Sequence, residues 1–585
     1  MFLDFLQLTF LFGIGIIVTS VIGFIFFKGK NKKDVVILTV IELLVLAIVC
    51  YFILPDKTLS GLLQTNLIGA MINAGLLLLI WQATANRQEK SITRNVPALM
   101  LGATVVAFLG LLLVSFIMSF TSVDEVYSTI PLKTSEKSEV LASTDETPIA
   151  IAPDTAKRKM LQQFSVIENS NMFSLDGITA QLIDGKYVYV ATVEFNGFFK
   201  WLKLKEVPGY FMISATDVNA QPEFIKKPIK YSPNAYFSQD AGRKIYAAFP
   251  NFASTGTINL EIDDEGNPFY VQTLYKEYGV SGKMHYDEFK TAVLNAQTGE
   301  VKLYDAKDAP EFISAPITSS AADSMNTYFG RYSEGWWNQS LFGSKKNVKF
   351  PTENGVYASG RITPLLSKAG ELLYFTDFTS EDDNQDSALG YSLMNARTGE
   401  LTYYRDEGVG LMDSDGAISI AEKIYPEKKW EAEMPILYNI DGVPTWIISL
   451  LDSKGIFKKY VYVNAVNNDM VIDGDTAQAT LDSYRVELAT SGSNNENTET
   501  ADLTDITGTV LRVQVLSDSK TTTASFILEN DQMIYTINVT NNPMALFLQV
   551  GDQVSFQANL SQNQKITTVQ QLTIEGLDNM ESPAE

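Results

Sequence analysis

The sequence predicts a multi-domain membrane protein with three kinds of structure: a four-helix transmembrane domain, α+β repeats built on antiparallel sheets, and a small all-β barrel. Three observations predict it: four long apolar stretches near the N-terminus, a turn motif that recurs between tyrosine-rich segments, and a C-terminal run of short alternating segments. The predicted boundaries are a transmembrane domain at 1–122, a linker at 123–152, repeat pairs at 153–315 and 316–490, a second linker at 491–502, the barrel at 503–576 and a disordered tail at 577–585.

The transmembrane domain follows from apolar length. A helix needs about 20 mostly apolar residues to cross a bilayer. Four stretches qualify, namely Phe5–Phe27, Val35–Leu54, Leu62–Trp81 and Val96–Phe120. The first stretch is preceded by Asp4 instead of the basic residues that open a signal peptide, so we interpret it as a retained span.

Basic residues predict the orientation of these spans, because loops rich in Lys and Arg stay in the cytoplasm. The loop after the first span carries four lysines, and the loop after the third carries Arg87, Lys90 and Arg94. Both loops are therefore predicted to be cytoplasmic. Both termini and the large region after Thr121 are then extracytoplasmic.

Two polar residues inside the spans are predicted to touch. Glu42 lies about two turns into the second span, where a charge is costly and usually paired or protonated. Asn73 lies at a matching depth in the third span, on a small and polar helical face with Asn66, Gly69 and Ala70. We hypothesise a Glu42–Asn73 contact. It serves either as a polar link between helices or as part of a proton or ion relay.

Charge and composition exclude several function classes. The chain has 45 basic and 68 acidic residues. Residues 1–122 hold eight of the basic and five of the acidic residues, so the remainder has 37 basic and 63 acidic residues and a net charge of −26. A surface that acidic repels phosphate backbones, so nucleic acid is not an expected partner. The single cysteine, Cys50, permits no intrachain disulfide, and one histidine, His285, argues against zinc sites and most nucleophilic triads. We expect no catalytic residues, no metal and no cofactor.

The region between the linkers contains a degenerate repeat. Its clearest copies are the turns Asn295-Ala-Gln-Thr-Gly299-Glu300 and Asn395-Ala-Arg-Thr-Gly399-Glu400, with weaker copies near Ser214 and Asn464. An earlier strand pair precedes each copy and turns near Gly185, Gly266, Gly370 and Gly442. Helices with Asp or Ser caps are expected near Asp154, Asp240, Asp323, Asp415 and Asp475. The predicted unit is one helix with about four antiparallel strands, repeated four times.

These motifs carry a resemblance to a known family. The N-A-x-T-G-E turn between tyrosine-rich strands, after a helix and a D-G-x-P-x-[YW] hairpin, resembles PepSY-type domains over about residues 155–485. The resemblance implies a bacterial cell-envelope module linked with protease inhibition or protein–protein regulation, not with catalysis. The four-span anchor departs from the family's usual single anchor.

The C-terminal segment predicts five strands in about 75 residues, a pattern typical of an OB-type barrel. Such barrels often bind nucleic acid or sugars, but residues 501–585 carry three basic and ten acidic side chains, which disfavours nucleic acid. We interpret Phe526, Tyr535 and Phe556 as core residues.

Three further features were weighed as sites. Asp413, Asp415 and Glu422 match the later positions of a calcium loop, but a helix cap explains the same residues, so no metal site is predicted. The acidic run at 381–386 is interpreted as a solvated hairpin tip. Trp336 and Trp337 close the densest aromatic cluster and are either core packing between repeat halves or an exposed interaction patch.

The sequence therefore predicts a non-enzymatic, membrane-anchored cell-envelope protein whose extracytoplasmic repeats bind or regulate another protein or an envelope polymer. One alternative is an accessory or sensor subunit that docks into a membrane complex through its four helices. A second alternative is an envelope hydrolase with carboxylates not yet identified.

Overall fold

The computed structural model describes residues 2–27, 31–84, 96–135, 151–340, 349–367, 370–380, 387–405, 410–440, 443–491, 503–517, 522–539, 542–559 and 566–577.

Four N-terminal helices are long and apolar enough to cross a membrane, as predicted. They are α1 (Phe2–Phe26), α2 (Asn31–Ile53), α3 (Leu59–Thr84) and α4 (Val96–Thr121). At a rise of 1.5 Å per residue, a helix of this length reaches across the roughly 30 Å of bilayer hydrocarbon with about a turn to spare. Helix α1 packs against α2 and α3, and α4 packs along α3.

The repeat region begins earlier than predicted. Residues 123–135, assigned above to a linker, form helix α5 (Val123–Tyr127) and strand β1 (Leu132–Ser135). Val123 and Val126 are buried, and β1 pairs in parallel with a strand 269 residues later, Leu132 opposite Leu401. These elements are too short for a periodic signal, and only their tertiary partners stabilise them. The rest of the predicted linker that is described, from Ile151, leads directly into the first repeat.

Four repeat units follow, each with a helix and an antiparallel sheet. Unit one has α6 (Pro153–Gln162), β2 (Phe173–Ile183), β3 (Lys186–Phe195), α7 (Phe198–Leu204), β4 (Tyr210–Ser214) and β5 (Glu223–Ile225). Unit two has α8 (Ala241–Ala248), β6 (Ala253–Ile262), β7 (Pro268–Tyr275), β8 (Lys290–Asn295) and β9 (Val301–Asp305).

Unit three has α9 (Ser319–Tyr332), α10 (Gly335–Ser340), β10 (Phe350–Pro351), β11 (Thr363–Leu366), β12 (Leu372–Thr379), β13 (Gly390–Asn395) and β14 (Leu401–Arg405). Unit four has α11 (Ser414–Glu422), β15 (Glu431–Ile440), β16 (Val443–Leu451), β17 (Phe457–Asn464) and β18 (Val471–Gly474). Units one, two and four are four-stranded sheets in sequence order; β1 extends the sheet of unit three to six strands.

One backbone hydrogen bond recurs in all four units and shows that they are copies of one design. A buried alanine follows the third strand of the repeated core, and its carbonyl accepts from a residue in the segment before the helix of the same unit. The pairs are Ile151 to Ala215 at 3.2 Å, Tyr231 to Ala296 at 2.9 Å, Ile317 to Ala396 at 2.8 Å and Met412 to Ala465 at 2.8 Å. Each bond fixes the start of the helix segment to its sheet.

The turn chemistry explains the repeated motif. In units two and three the Asn side chain accepts from the backbone N–H groups two and three residues later in the chain. Asn295, for example, accepts from Gln297 and Thr298. Gly299 and Gly399 adopt φ of 76° and 75°, a left-handed conformation that favours glycine. These turns could be predicted from the sequence because the contacts that form them are local.

The five predicted helices begin within four residues of their expected positions, and a carboxylate cap is described at two of them. Asp240 caps α8 and Asp413 caps α11, each through its carboxylate. Helix α9 begins at Ser319, four residues before the expected Asp323, and α6 begins after Ala152 with Pro153 in its first turn. The predicted start near Asp475 lies just before α12 (Ala477–Ser491).

A single hydrophobic core runs through all four units, from Val123 to Leu488. The sheet of unit one contacts unit two through Gln181, whose amide accepts from the N–H of Ile262 at 3.1 Å. Helix α6 of unit one meets unit four, where the hydroxyl of Thr155 donates to the carbonyl of Gly455 at 2.6 Å. The repeat region is therefore packed as one body and is not a row of separate domains.

Five C-terminal strands close into a barrel with its own core. They are β19 (Leu503–Ser517), β20 (Thr522–Leu528), β21 (Ile534–Asn538), β22 (Gln553–Asn559) and β23 (Ile566–Ile574). Phe526, Tyr535 and Phe556 are buried and pack on one another, as expected for core residues. The predicted linker after Ser491 and the tail after Leu577 lie outside the described residues.

Candidate functional site

The candidate site is the junction at which unit two meets the ends of the four apolar helices. Charged side chains of unit two contact the backbone at the end of α2, the start of α3 and the end of α4, and a lysine from the α2–α3 loop contacts the end of α8. We call this set of contacts the junction.

Arg243 of α8 contacts the last turn of α2. Its Nε donates to the carbonyl of Tyr51 at 3.0 Å, and its guanidinium lies over the Tyr51 ring. Asp240 holds Arg243 in place with a 2.8 Å ion pair and also accepts from the Arg243 backbone N–H. The last carbonyls of a helix carry partial negative charge and lack partners within the helix, so a cation there is stabilising.

Lys57 makes the reciprocal contact from the α2–α3 loop. Its Nζ donates to the carbonyls of Tyr246 at 2.8 Å and Phe249 at 2.7 Å, which lie at the C-terminal end of α8. The ammonium also lies 4.2 Å from the centre of the Tyr246 ring. Burial lowers the pKa of Lys57 to about 7, while the two carbonyls and the ring stabilise its charged form.

Glu277 contacts the N-terminal end of α3, whereas Arg243 contacts the C-terminal end of α2. One of its carboxylate oxygens accepts from the N–H of Ser60, in the first turn of α3, at 2.7 Å. The other accepts from the N–H of Gly282 at 2.6 Å, which holds the carboxylate in position. An anion at a helix N-terminus is favourable for the same reason that a cation is favourable at the C-terminus.

Lys283 completes the set at α4. Its Nζ donates to the carbonyl of Ser119, in the last turn of that helix, and burial lowers the pKa of this lysine. Unit two thus places a cation at the C-terminal ends of α2 and α4 and an anion at the N-terminal end of α3. Each charge has the sign that the helix dipole requires.

Apolar packing underlies these polar contacts. Ala247 of α8 belongs to one buried cluster with Phe5, Leu8 and Phe12 of α1 and with Cys50 of α2. The hydroxyl of Tyr246 donates to the carbonyl of Pro55 at 2.6 Å. The junction therefore excludes water around its hydrogen bonds, which strengthens them.

The structure brings Glu42 and Asn73 together inside the helices. The side-chain amide of Asn73 donates to a Glu42 oxygen at 2.5 Å. The larger share of the Asn73 contacts, however, is with α1: it accepts from the Thr19 hydroxyl at 2.8 Å and donates to the Ser20 hydroxyl at 3.0 Å. Asn66, on the same face of α3, accepts from the N–H of Gly15 at 2.9 Å. The small polar face of α3 thus joins three helices, which fits the interpretation as a polar link.

Trp336 and Trp337 lie next to α4. The Trp336 ring is half-buried and lies 5.2 Å from the ring of Phe120, which is the penultimate residue of α4. Trp337 crosses Trp336 edge to face at 4.9 Å and is 61% exposed. Trp336 thus packs against the end of α4, a contact that neither interpretation from the sequence included, and Trp337 remains on the surface.

The remaining candidates have structural roles or no described structure. Asp413 caps α11, and Asp415 accepts from the Asn354 amide at 2.6 Å. His285 lies against the Tyr278 ring, 4.9 Å between centroids. Residues 381–386 lie outside the described residues. Among the residues that the structure describes, no group of three His, Cys, Asp or Glu side chains is arranged to hold a metal ion.

One surface depression of about 400 Å3 opens beside the junction, lined by Asp240, Arg243 and Asn234 among others. Asn234 donates its backbone N–H to Glu194 at 3.3 Å. Burial raises the pKa of Glu194 to about 7, but this carboxyl is almost wholly enclosed and also accepts from the Tyr270 hydroxyl at 3.0 Å. Glu194 therefore ties unit one to unit two and does not face the depression as a catalytic acid would.

Sequence reasoning missed the junction. Lys57 stands in a short turn between two apolar stretches, and Arg243, Glu277 and Lys283 stand in the sequence as ordinary surface charges. The one available signal was that Lys57 interrupts a very short loop between two long apolar stretches. No protein-family model matches this chain, and no curated protein sequence is significantly similar to it.

Proposed function

We propose that the protein is a non-enzymatic, membrane-anchored component of a cell envelope. In this proposal its extracytoplasmic repeat region binds or regulates another protein or an envelope polymer. The charge pattern of the loops at 28–33 and 87–94 supports the orientation. The shared unit of a helix and an antiparallel sheet supports the PepSY-type resemblance, and the strand order β19-β20-β21-β23-β22 supports an OB-type barrel.

The observation that carries the proposal is the unequal use of four equivalent units. Among the described residues, the hydrogen bonds from the repeat units to the ends of α2, α3 and α4 come from unit two. Unit two thus mounts the shared core on the helices and holds the equivalent loops of the other units at a defined position. A repeat region that is held rigidly through one unit, with three other units not needed for attachment, suits a binding platform, because preorganised surfaces lose less entropy on binding.

A second function, an accessory or sensor subunit of a membrane complex, is favoured by the junction itself. Helix α4 packs along α3 and presents large apolar side chains such as Val106 and Leu109 outward. That surface faces lipid in a monomer and would face a partner helix in a complex. The junction would then connect a partner in the membrane to the repeats outside it.

Site-specific photo-crosslinking in native membranes separates the two functions. A photoreactive side chain replaces Val466, on an exposed turn of unit four, or Val106 of α4, in the full-length chain. An adduct from position 466 alone supports the binding platform. An adduct from position 106 alone supports the membrane subunit. The buried neighbour Ala465 is the control position, where no adduct is expected.

The proposal fails if position 466, and exposed positions on the loops of units one and three, give no adduct while position 106 does. To test the second function separately, the same two positions are labelled in Glu277→Ala, which loosens the junction. A platform keeps its adduct at 466 when the junction is loosened, because the repeats remain folded. A membrane subunit keeps its adduct at 106.

A further inference from the structure

A continuous row of aromatic rings runs from helix α4 onto the surface of the repeat region. Phe116 and Phe120 of α4 lie 5.6 Å apart, Phe120 and Trp336 lie 5.2 Å apart, and Trp336 and Trp337 lie 4.9 Å apart. Phe116 is 66% exposed and Trp337 is 61% exposed. We call these four residues the aromatic row.

The position of α4 determines the depth of the row. Phe120 is one residue from the end of the helix, and Phe116 lies one turn, or about 6 Å, further in. Lys283 binds the carbonyl of Ser119 at the same level, and an ammonium belongs near water. In a helix that crosses a bilayer, Phe116 then lies at the edge of the hydrocarbon, and Trp336 and Trp337 lie at the level of the lipid headgroups.

The chemistry of the row matches that level. Tryptophan is enriched at membrane interfaces because its large apolar ring enters the acyl boundary while its N–H stays hydrated. Arg331, on the last turn of α9, is exposed and lies 5.8 Å from the ring of Tyr332, which stands four residues before Trp336 in the chain. A guanidinium at this depth can pair with lipid phosphate. An exposed tryptophan with no lipid would leave a large apolar surface in water.

We propose that the Trp336–Trp337 surface lies in the headgroup region of the bilayer, so that the repeat region rests on the membrane that α1–α4 cross. The occupant of the exposed Trp337 face is lipid, not a protein partner. This inference depends on the insertion of the four helices but not on the side of the membrane on which the repeats lie. It assigns Trp337 a role separate from the binding platform proposed above.

Because Cys50 is the single cysteine of the chain, one substitution gives a cysteine-free background for the test. In a Cys50→Ser background, one cysteine at a time is introduced into the full chain, labelled with a polarity-sensitive fluorophore and placed in lipid nanodiscs. The positions are Trp337→Cys, Phe116→Cys as the bilayer reference and Val466→Cys as the aqueous reference. Ser340→Cys, on the same exposed helix, keeps both tryptophans in case Trp337→Cys alters the fold. Quenching is measured with lipids spin-labelled at the headgroup or along the chain, and with iodide in the water.

Headgroup-labelled lipid is expected to quench positions 337 and 340 about as strongly as lipid labelled along the chain quenches position 116. Iodide should quench position 466 strongly and positions 337 and 340 weakly. The proposal is overturned if positions 337 and 340 behave like 466 while 116 is quenched by lipid. It is also overturned if position 116 escapes lipid quenchers, because α4 would then not be inserted; that outcome leaves the crosslinking result at position 466 untouched.

A second surface carries a related inference from different residues. Helix α7 places Trp201 inward and leaves Phe199 81% exposed, with Leu202 beside it and Lys200 and Lys203 on the same short helix. The Trp201 ring packs at 5.8 Å on Phe237, an exposed residue held at a φ of 56°, which is unusual for a bulky side chain.

This surface adjoins the junction. Phe237 stands three residues before Asp240, which caps α8 and holds Arg243 against the end of α2. The apolar side chains of α7 are interleaved with lysines, whose ammonium groups locally attract anionic headgroups although the rest of the region is acidic. We infer that the α7 surface is a second lipid contact and that it prefers anionic lipid.

Phe199→Cys and Leu202→Cys, labelled as above, test this contact in nanodiscs with and without anionic lipid. Stronger headgroup quenching at both positions with anionic lipid is the expected result. Quenching equal to that at position 466 in both lipid compositions would overturn the inference.

Discussion

Glu277 gives the sharpest test of the junction, because one side chain holds two backbone groups from different domains. Its carboxylate accepts from Ser60 at 2.7 Å and from Gly282 at 2.6 Å, and the residue is 9% exposed. A hydrogen bond to a charged group contributes about 1.5–3 kcal/mol, and part of that loss is recovered where water can enter. We therefore expect Glu277→Ala to weaken the closed junction by about 2–4 kcal/mol.

Cys50 reports the opening of the junction. It is the only cysteine of the chain, it is fully buried, and it lies in the same cluster as Ala247 and Tyr246 of α8. A water-soluble maleimide reacts with it only when the junction opens, so the labelling rate follows the opening equilibrium. A change of 2–4 kcal/mol corresponds to about a 30-fold to several-hundred-fold faster reaction in Glu277→Ala.

Two variants make the comparison specific. Glu277→Gln keeps one acceptor oxygen, so we expect about 1–2 kcal/mol and roughly a tenfold faster reaction. Glu288→Gln removes a half-exposed acid whose ion pair with Lys276 spans 3.9 Å in the same unit, and it should change the rate by no more than about twofold. Equal labelling rates in Glu277→Ala, Glu288→Gln and the parent chain, with the fold unchanged by circular dichroism, would refute the capping argument.

Three further predictions concern the inside of the molecule. Asn73→Leu removes three hydrogen bonds among α1, α2 and α3, and at about 0.6 kcal/mol for each it should lower the unfolding free energy in micelles by about 2 kcal/mol. No loss beyond that of the control Ile72→Leu, at an exposed position of α3, would refute the polar link. Glu42→Gln keeps an acceptor for Asn73, so retention of both fold and function would eliminate the proton or ion relay. Burial raises the pKa of Glu261 to about 8, so its neutral form stabilises the fold below its unfolded pKa near 4.5 and this stability is lost as the pH rises through about 8. Melting temperatures from pH 5 to 9 should fall less in Glu261→Gln, which does not titrate and keeps one oxygen to accept from Ser314 or Ala315, and an unchanged slope would refute this assignment.

The parts of the fold that could be predicted from the sequence have local causes. Apolar length determines where α1–α4 lie, and Asn295 with Gly299 determines a turn within six residues. Depth along a helix is also a local quantity, since it is counted from the helix end. That is why Glu42 and Asn73 could be matched, whereas Thr19 and Ser20, which are ordinary residues in a membrane helix, were not recognised as their partners.

The contacts of the junction have no such local cause in the sequence. Lys57 and the Tyr246 carbonyl are 189 positions apart, and Ser60 and Glu277 are 217 positions apart. Nothing in the sequence separates Glu277 from the many acids that face water, because its role depends on which helix end the fold brings to it. The same applies to β1, whose four residues become a strand only beside β14.

The junction also limits how the two halves of the molecule can move. A rotation of unit two relative to the helices would break contacts at α2, α3 and α4 together, because Arg243, Glu277 and Lys283 belong to one compact unit. Small displacements are therefore resisted by three helix ends at once, and a larger one would open the whole site. A partner that binds the repeats can change helices α1–α4 only if it binds the closed and open junctions with different affinity. Since Glu277→Ala shifts that equilibrium without touching the loops of the other units, partner affinity measured in this variant would reveal whether the repeats and the helices are coupled or merely joined.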